Sequence, residues 1–569
     1  MDSQRLVLFF VFSFSVFLLL DAWQRDKQPA PPAPAVSDRA AKTAPSAAPV
    51  PGPGDKIAVP ALPTATVSQS PRPAQEPETT VKVETDLVVA RISTRGGDLR
   101  HLEFKKHRDT LDKGKDFVLF DYVPDYLYIA QSGLIGPGLP NHQTHFKPSG
   151  EHFQLAEGQD HVEVRLTAPP ADGIEVTKIY RFRRGSYLID VSFEIANKSG
   201  AAVQPYAYFQ LVRDGKPPAG GSTMLPTFTG VALYTEKEKF HKFTFEDIAK
   251  NKATFPKKSN DGWVAIIQHY FFSAWLPQNG TPREFYMQKQ PDGDLYSAGV
   301  QIPVGAVAPG AVATLIVPFY AGPEEPEKLE KIAPGLELTI DYGWLTVIAV
   351  PLFWLLSWLH QWVGNWGIAI ILLTVIIKLL FYPLSAASYR SMAKMRVVAP
   401  KLQRLKDQYG EDRQRLQQAM MELYKTEKIN PLGGCMPILI QIPVFIALYW
   451  VLLASVELRH APFGLGIDDL TTSAIREFFD ISTWASVAYF VLPILMAATM
   501  WIQTSLNPEP PDPVQAKVMK FMPIAFSIMF FFFPAGLVLY WLVNNVLSIA
   551  QQWHITRAME RAGLSPRKN

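Results

Sequence analysis

The stretch that decides the reading of this chain is "IAIILLTVIIKLLFYPL", Ile368 to Leu384. Its length and apolarity are those of a membrane-crossing helix, yet it carries one cation, Lys378. At 1.5 Å per residue, Lys378 lies about 9 Å from the inner end of the run, in the inner half of a bilayer. A charge there costs roughly 3 kcal/mol on insertion scales. Two readings stand on this residue alone. Either its stem snorkels toward the inner headgroups, or its ammonium faces a hydrated recess.

Outward from this run the chain is lopsided. Residues 24 to 340 are mixed and polar, whereas apolar runs recur from Leu345 onward at about 435–456, 486–505, 518–533 and 537–553. Pro534-Ala535-Gly536 separates the last two. Near the N-terminus "LVLFFVFSFSVFLLL", residues 6–20, has no small-residue cleavage site directly after it and is read as an uncleaved signal anchor. Together these give six spans. The Trp-rich segment Asp341–Gly367 starts with an apolar run of 15 residues, Leu345–Leu359, interrupted by Pro351. It is expected to lie in the membrane interface.

Basic residues fix the orientation. Between residues 385 and 430 there are ten: Arg390, Lys394, Arg396, Lys401, Arg404, Lys406, Arg413, Arg415, Lys425 and Lys428. Lys517, Lys520 and the tail residues Arg557, Arg561, Arg567 and Lys568 mark the same side, whereas Glu457–Thr483 carries only Arg459 and Arg476. Both termini are therefore expected in the cytoplasm and the polar domain outside. The segment 385–430 reads as two helices, Ala386–Tyr409 capped by Gly410 and Glu411–Glu427, with Leu402, Leu405, Leu416, Met420 and Leu423 as their seam. Its charge fits a solvated inside loop and a docking arm for anionic lipid or a partner equally well.

The polar domain alternates with period two. Ile189, Val191, Phe193 and Ile195 alternate with Asp190, Ser192 and Glu194, and Val162, Val164 and Leu166 repeat the habit. An all-β sandwich follows. The expected organisation is an anchor and first span (1–23), a Pro/Ala-rich linker (24–80), the external β-sandwich (81–340) and an interfacial amphipathic helix (341–363). A second span (364–384), a cytoplasmic helical hairpin (385–430), a third span (431–456) and an outer loop (457–485) come next. The fourth span (486–505), an inner loop (506–517), the fifth and sixth spans (518–533, 537–553) and a short basic tail (554–569) complete it.

Several chemistries are excluded. One cysteine, Cys435, builds neither a disulfide nor a thiol metal site. His142, His145 and His152 sit among Pro140, Pro148 and Gly150 and read as loop residues, so no metal is expected. No nucleotide loop or nucleophile elbow occurs, no enzyme activity and no cofactor are expected, and a formal net charge of +3 gives no signature of sequence-specific nucleic-acid binding.

The polar residues inside the apolar runs converge. Trp541, Asn544, Asn545, Ser548, Gln551 and Gln552 follow helical spacing along one face. Thr374 lies one turn before Lys378, and Gln441 sits between Pro437 and Pro443. Such residues on several helices point to a wet concavity, although polar stripes also serve as glue between helices. No Asp or Glu lies at mid-membrane to neutralise Lys378.

The chain resembles the YidC/Oxa/Alb family of membrane protein insertases, of the Gram-negative bacterial type. The resemblance rests on "PLFWLLSWLHQWVGNWG" (351–367), "YRSMAKMRVVAPKLQRLKDQYG" (389–410), "EKINPLGGCMPILIQIPVFIALYW" (427–450), "SVELRHAPF" (455–463) and "FFPAGLVLYWLVNN" (532–545). It implies a five-helix core in the bacterial inner membrane and a hydrophilic groove, open to cytoplasm and lipid and closed outside, that accepts nascent membrane proteins. By motif position the groove's positive residue is Lys378, where many members have arginine. Thr374 and Trp541 match positions near the client's path, the latter often tyrosine. The Sec translocon, the ribosome and membrane lipids are the implied partners, and the external domain is implied to be a β-supersandwich. A long basic ribosome-binding tail, as in mitochondrial members, is not expected here. A secondary transporter and a membrane-anchored carbohydrate-binding protein are the rival readings; vesicle flux and activity of the isolated β domain would discriminate them.

Overall fold

The computed structural model describes residues 79–218, 227–291, 293–410, 412–427, 436–478, 484–506 and 513–561. The expected anchor, the linker through residue 78, Lys428, Cys435, residues 507–512 of the inner loop and the tail beyond residue 561 lie outside the described residues.

From Thr80 to Pro323 the period-two pattern becomes two sheets of ten and nine strands, antiparallel except for one edge pairing. Leu188–Asn197 shows the cause. Ile189, Val191, Phe193 and Ile195 point inward and are at most 2% exposed, while the alternating polar set faces out. This strand pairs antiparallel with Ile174–Arg183 and Val312–Pro323. The two inner faces meet on aromatic rings. Trp275 packs 4.3 Å from Phe319 in its own sheet and 5.0 Å from Phe209 in the other. The Tyr128 hydroxyl joins the sheets through Ser273 Oγ at 2.5 Å.

The helical part begins with α1, Thr346–Val363, which follows a short 3-10 turn, Gly343–Leu345. Pro351 lies inside α1 without ending it. Ala349, Phe353, Leu356 and Leu359 form its buried stripe, and Trp354, Trp358 and Trp362 are exposed. Gly364 turns left-handed at its end and Asn365 caps the next helix, accepting from the Ile368 amide at 3.0 Å.

The decisive run is not one straight helix. It divides into α2, Trp366–Leu380, and α3, Tyr382–Tyr409, which meet at 65°. Pro383 explains the break, since it donates no amide bond and fits only the first turn of a helix. The straight helix within the expected second span therefore stops at Leu380, and the first hairpin helix starts earlier than Ala386. The hairpin's second helix, α4 (Arg413–Thr426), is capped by Asp412, which accepts from the amides of Gln414 and Arg415. Gly410 is right-handed, φ −56°, so the turn rests on Asp412 rather than on a left-handed glycine. Val398 and Leu402 are buried in the seam against Met420, Leu423 and Tyr424, and Lys401 pairs with Glu427 at 2.6 Å.

Among the described residues four long helices follow, α5 (Met436–Ala454), α6 (Trp484–Ser505), α7 (Pro513–Phe530) and α8 (Ala535–Arg561), with a short α-helix, Ala474–Phe478, between α5 and α6. α8 continues beyond the expected end at residue 553 because Ile555 and Met559 pack on Ala386 of α3. Among the described residues, Gly343–Val363 and Val487–Ser505 are long and apolar enough to cross a membrane, and the bent pair Trp366–Leu380 with Tyr382–Met392 makes a third if counted as one span. Gly343–Val363 passes that test although its sequence was read as interfacial, because the helix extends through Pro351 to Val363.

Candidate functional site: a polar recess between the helices

Lys378 lies in the last turn of α2, about 18 Å along the helix from Trp366. Its side chain is turned inward and the residue is 6% exposed. The ammonium donates to Ser548 Oγ on α8 at 2.6 Å. Ser548 in turn donates to the Asn544 carbonyl one turn earlier, at 2.7 Å. The Asn544 side-chain oxygen accepts from Gln441 Nε2 of α5, also at 2.7 Å. A chain of hydrogen bonds thus joins α5, α8 and α2, with the cation at its end. Among the described residues no carboxylate pairs with Lys378. An ammonium removed from water on one neutral hydroxyl bond is poorly compensated unless water reaches it.

Space for that water is present. A cavity of about 280 Å³ adjoins Lys378. α8 supplies Tyr540, Trp541, Asn544, Asn545 and Ser548 to its wall, α5 supplies Gln441, Ile442 and Phe445, and α6 supplies Gln503. The base of α3 supplies Ser385, Ser388, Tyr389 and Met392. Trp541 stands edge-on to Phe445 at 4.4 Å, and its indole nitrogen is buried without a hydrogen-bond partner among the described residues. Asn545 reaches Thr499 Oγ1 on α6 at 3.4 Å.

Six of the seven residues expected to line a groove therefore meet here: Lys378, Gln441, Trp541, Asn544, Asn545 and Ser548. Thr374 does not. It is fully buried, and its hydroxyl bonds back to the Ile370 carbonyl at 2.6 Å. The expected hairpin residues Arg390, Lys394, Lys401 and Arg404 are exposed on α3, Lys406 is half-buried, and Arg396 belongs to the same helix. Sequence reasoning missed the α3 wall. Its signal was available, since 385, 388, 389 and 392 fall at i, i+3, i+4 and i+7. The histidines of the β domain are not gathered: His145 and His152 are exposed, and His142 bonds to Tyr208 at 2.5 Å. Burial, then the nearby Lys178, pushes the His142 ring down to about 4. No group of metal-ligating side chains occurs among the described residues.

Fold and recess together define a class: a helical membrane protein that carries a large β-sandwich and holds a buried cation against a polar cavity. The YidC periplasmic domain family matches residues 80–355, and the 60Kd inner membrane protein family matches residues 358–562. A membrane protein insertase YidC of Nitrosospira multiformis is 53% identical over 578 aligned positions, covering 100% of this chain and 99% of its own length. Its counterpart in Methylobacillus flagellatus is 55% identical over 580, covering 100% of both chains. The chain belongs to the YidC family of membrane protein insertases. A crystal structure of an active YidC insertase with its first transmembrane domain resolved aligns at a TM-score of 0.37 and 17% identity, over 84% of this chain and 94% of that one.

Proposed function

We propose that this protein inserts nascent membrane proteins by admitting their polar ends into the recess at Lys378 while their apolar parts pass into lipid. The observation that carries the reading is a buried cation facing a cavity with no carboxylate partner among the described residues. Such a site is incomplete without an acceptor from elsewhere. The unpaired Trp541 indole nitrogen offers a second donor for a client's carbonyl groups. A transporter reading would need a second broken helix to match the bent pair α2–α3, and none occurs among the described residues.

In this reading six spans place both termini in the cytoplasm of a bacterial cell, with the β domain outside the inner membrane. α1 lies along the outer surface. A Cβ at Gly343, just before α1, would come 3.4 Å from Trp450 near the outer end of α5. Asn365, just after α1, donates to the carbonyls of Pro462 and Phe463 in the outer loop. Both ends thus sit against outer elements, while a crossing helix would carry one of them about 30 Å through the bilayer to the inner face. The basic hairpin receives clients from the ribosome and contacts anionic lipid, and the Sec translocon works beside the recess.

The test is photocrosslinking. A photoreactive residue replacing Ile442 in the cavity wall is expected to capture a stalled nascent membrane protein. Efficient insertion without any adduct at that position would contradict the route.

A further inference from the structure

The outer loop between α5 and α6 is built more tightly than a connection requires. Asp469, 3% exposed, sits at its centre. Its carboxylate accepts from the His460 amide at 3.1 Å, the Thr471 amide at 2.8 Å, the Thr471 hydroxyl at 2.7 Å and the Thr472 hydroxyl at 3.0 Å, and it pairs with His460 Nδ1 at 3.1 Å. The Asp469 amide donates to Tyr489 of α6 at 2.8 Å. The buried carboxylate therefore folds the loop onto itself, and the backbone of the same residue fastens it to α6.

The folded loop then grips the outer ends of three more helices. The amides of Ala535 and Gly536, at the start of α8, donate to the carbonyls of Thr472 and Leu470 at 2.9 and 2.8 Å. The Ile475 amide donates to Phe531, just past α7, at 3.0 Å. At α2, Asn365 holds the Pro462 and Phe463 carbonyls, and the Phe463 ring lies so close to Gly367 that a Cβ there would come within 2.0 Å of it. The underside is apolar: Leu458, Ile467 and Leu470 are at most 4% exposed. Beneath it, Ile370, Leu373, Leu537 and Val538 are buried to 1% or less, between the loop and the recess. The loop's two arginines point the other way, into the β domain. Arg459 bonds to Thr110 Oγ1 at 2.9 Å and lies over Phe117 and Phe271, and Arg476 bonds to the Thr110 carbonyl.

We propose that the segment Val456–Arg476 is the outer seal of the recess and that Asp469 is the positioning residue that holds it across α2, α6, α7 and α8. The proposal rests on the reading of the recess as an insertion groove, since a cavity open inward needs a barrier outside it. Hydrogen bonds to a charged acceptor are the strong ones; an asparagine removes the charge from all of them and replaces the oxygen that meets Thr472 and His460 by an amide nitrogen, which frees the loop to open.

The test uses the full-length protein in liposomes, with no client, and reads the decay of an imposed proton gradient with an entrapped pH dye. Asp469→Asn is expected to raise the leak about tenfold while helix content and oligomeric profile stay those of wild type. Thr472→Val, which keeps the volume and removes one bond, is expected to raise it by a smaller factor, and carries the test alone if Asp469→Asn does not assemble. A folded Asp469→Asn, or a folded Thr472→Val where it stands alone, that loses thermal stability but is as tight as wild type would overturn the proposal. Crosslinking of a client at Ile442 is read in parallel. Its absence in wild type counts against the groove, whereas a tight variant with normal crosslinking counts only against the seal.

Discussion

Lys378 and Ser548 form a contact between an ion and a neutral hydroxyl, 2.6 Å apart, at the edge of a cavity large enough for several waters. The hydroxyl orients the ammonium, and the cavity leaves room for water to complete its shell. Ser548→Ala is therefore expected to slow insertion by no more than about threefold, since a charged hydrogen bond exchanged for water loses only part of its value. Rates of insertion for one acidic-tailed client check this; a loss as large as that of Lys378→Ala would make Ser548 an equal partner. Thr374 marks the limit of reading residues from spacing. Its position four before Lys378 gives the correct helix face, but depth along that face depends on packing by α8, which spacing does not encode. Its hydroxyl is spent on Ile370.

At the scale of elements, α3 is both a wall and an arm. Ser385 to Met392 line the cavity, while the remainder runs out to the seam with α4. Removing residues 395–427 and joining the ends is expected to leave the recess intact and to slow client insertion several-fold. Unchanged insertion by a stably expressed deletion would return the hairpin to the status of a solvated loop. The hairpin, the strands and the apolar helices were all legible in the sequence, because each is written in a local period. The bend at Phe381 was not, since Pro383 is equally compatible with a span's end and with a new helix beginning there. Likewise α8 runs on past residue 553 only because α3 is present to receive Ile555 and Met559.

At the scale of the whole molecule, the β domain is fastened to the helical part by more than its tether. His269 donates through Nε2 to the Leu453 carbonyl at 2.8 Å, Lys113 pairs with Asp468 at 3.0 Å, and Lys242 pairs with Asp341 at 2.5 Å. Burial holds the His269 ring down to about 4, with Arg459 adding to the effect. A histidine with a lowered value supports docking fully above its free value of about 6.5 and loses that support as pH falls toward 4. Glu457, whose carboxyl burial pushes up to about 7, acts in the opposite sense. The informative quantity is therefore a difference: protease sensitivity of the undocked β domain is expected to rise less steeply between pH 6.5 and 4 in His269→Gln than in wild type. Identical slopes would remove His269 from the interface's pH response. None of these contacts was visible in the sequence, where the partners lie between 99 and 355 residues apart.

The central claim is that Lys378 meets the charge of a passing client. At an effective dielectric near 20, a cation and a carboxylate about 4 Å apart attract by roughly 4 kcal/mol, and a hydrated recess retains part of that. Insertion of two clients that differ only in the charge of the translocated tail, measured in wild type, Lys378→Arg and Lys378→Ala vesicles, tests it directly. The account predicts that Lys378→Arg inserts both, and that Lys378→Ala loses about tenfold or more for the acidic tail while the neutral tail is nearly unaffected. Equal losses for the two tails, or none for either, would contradict it.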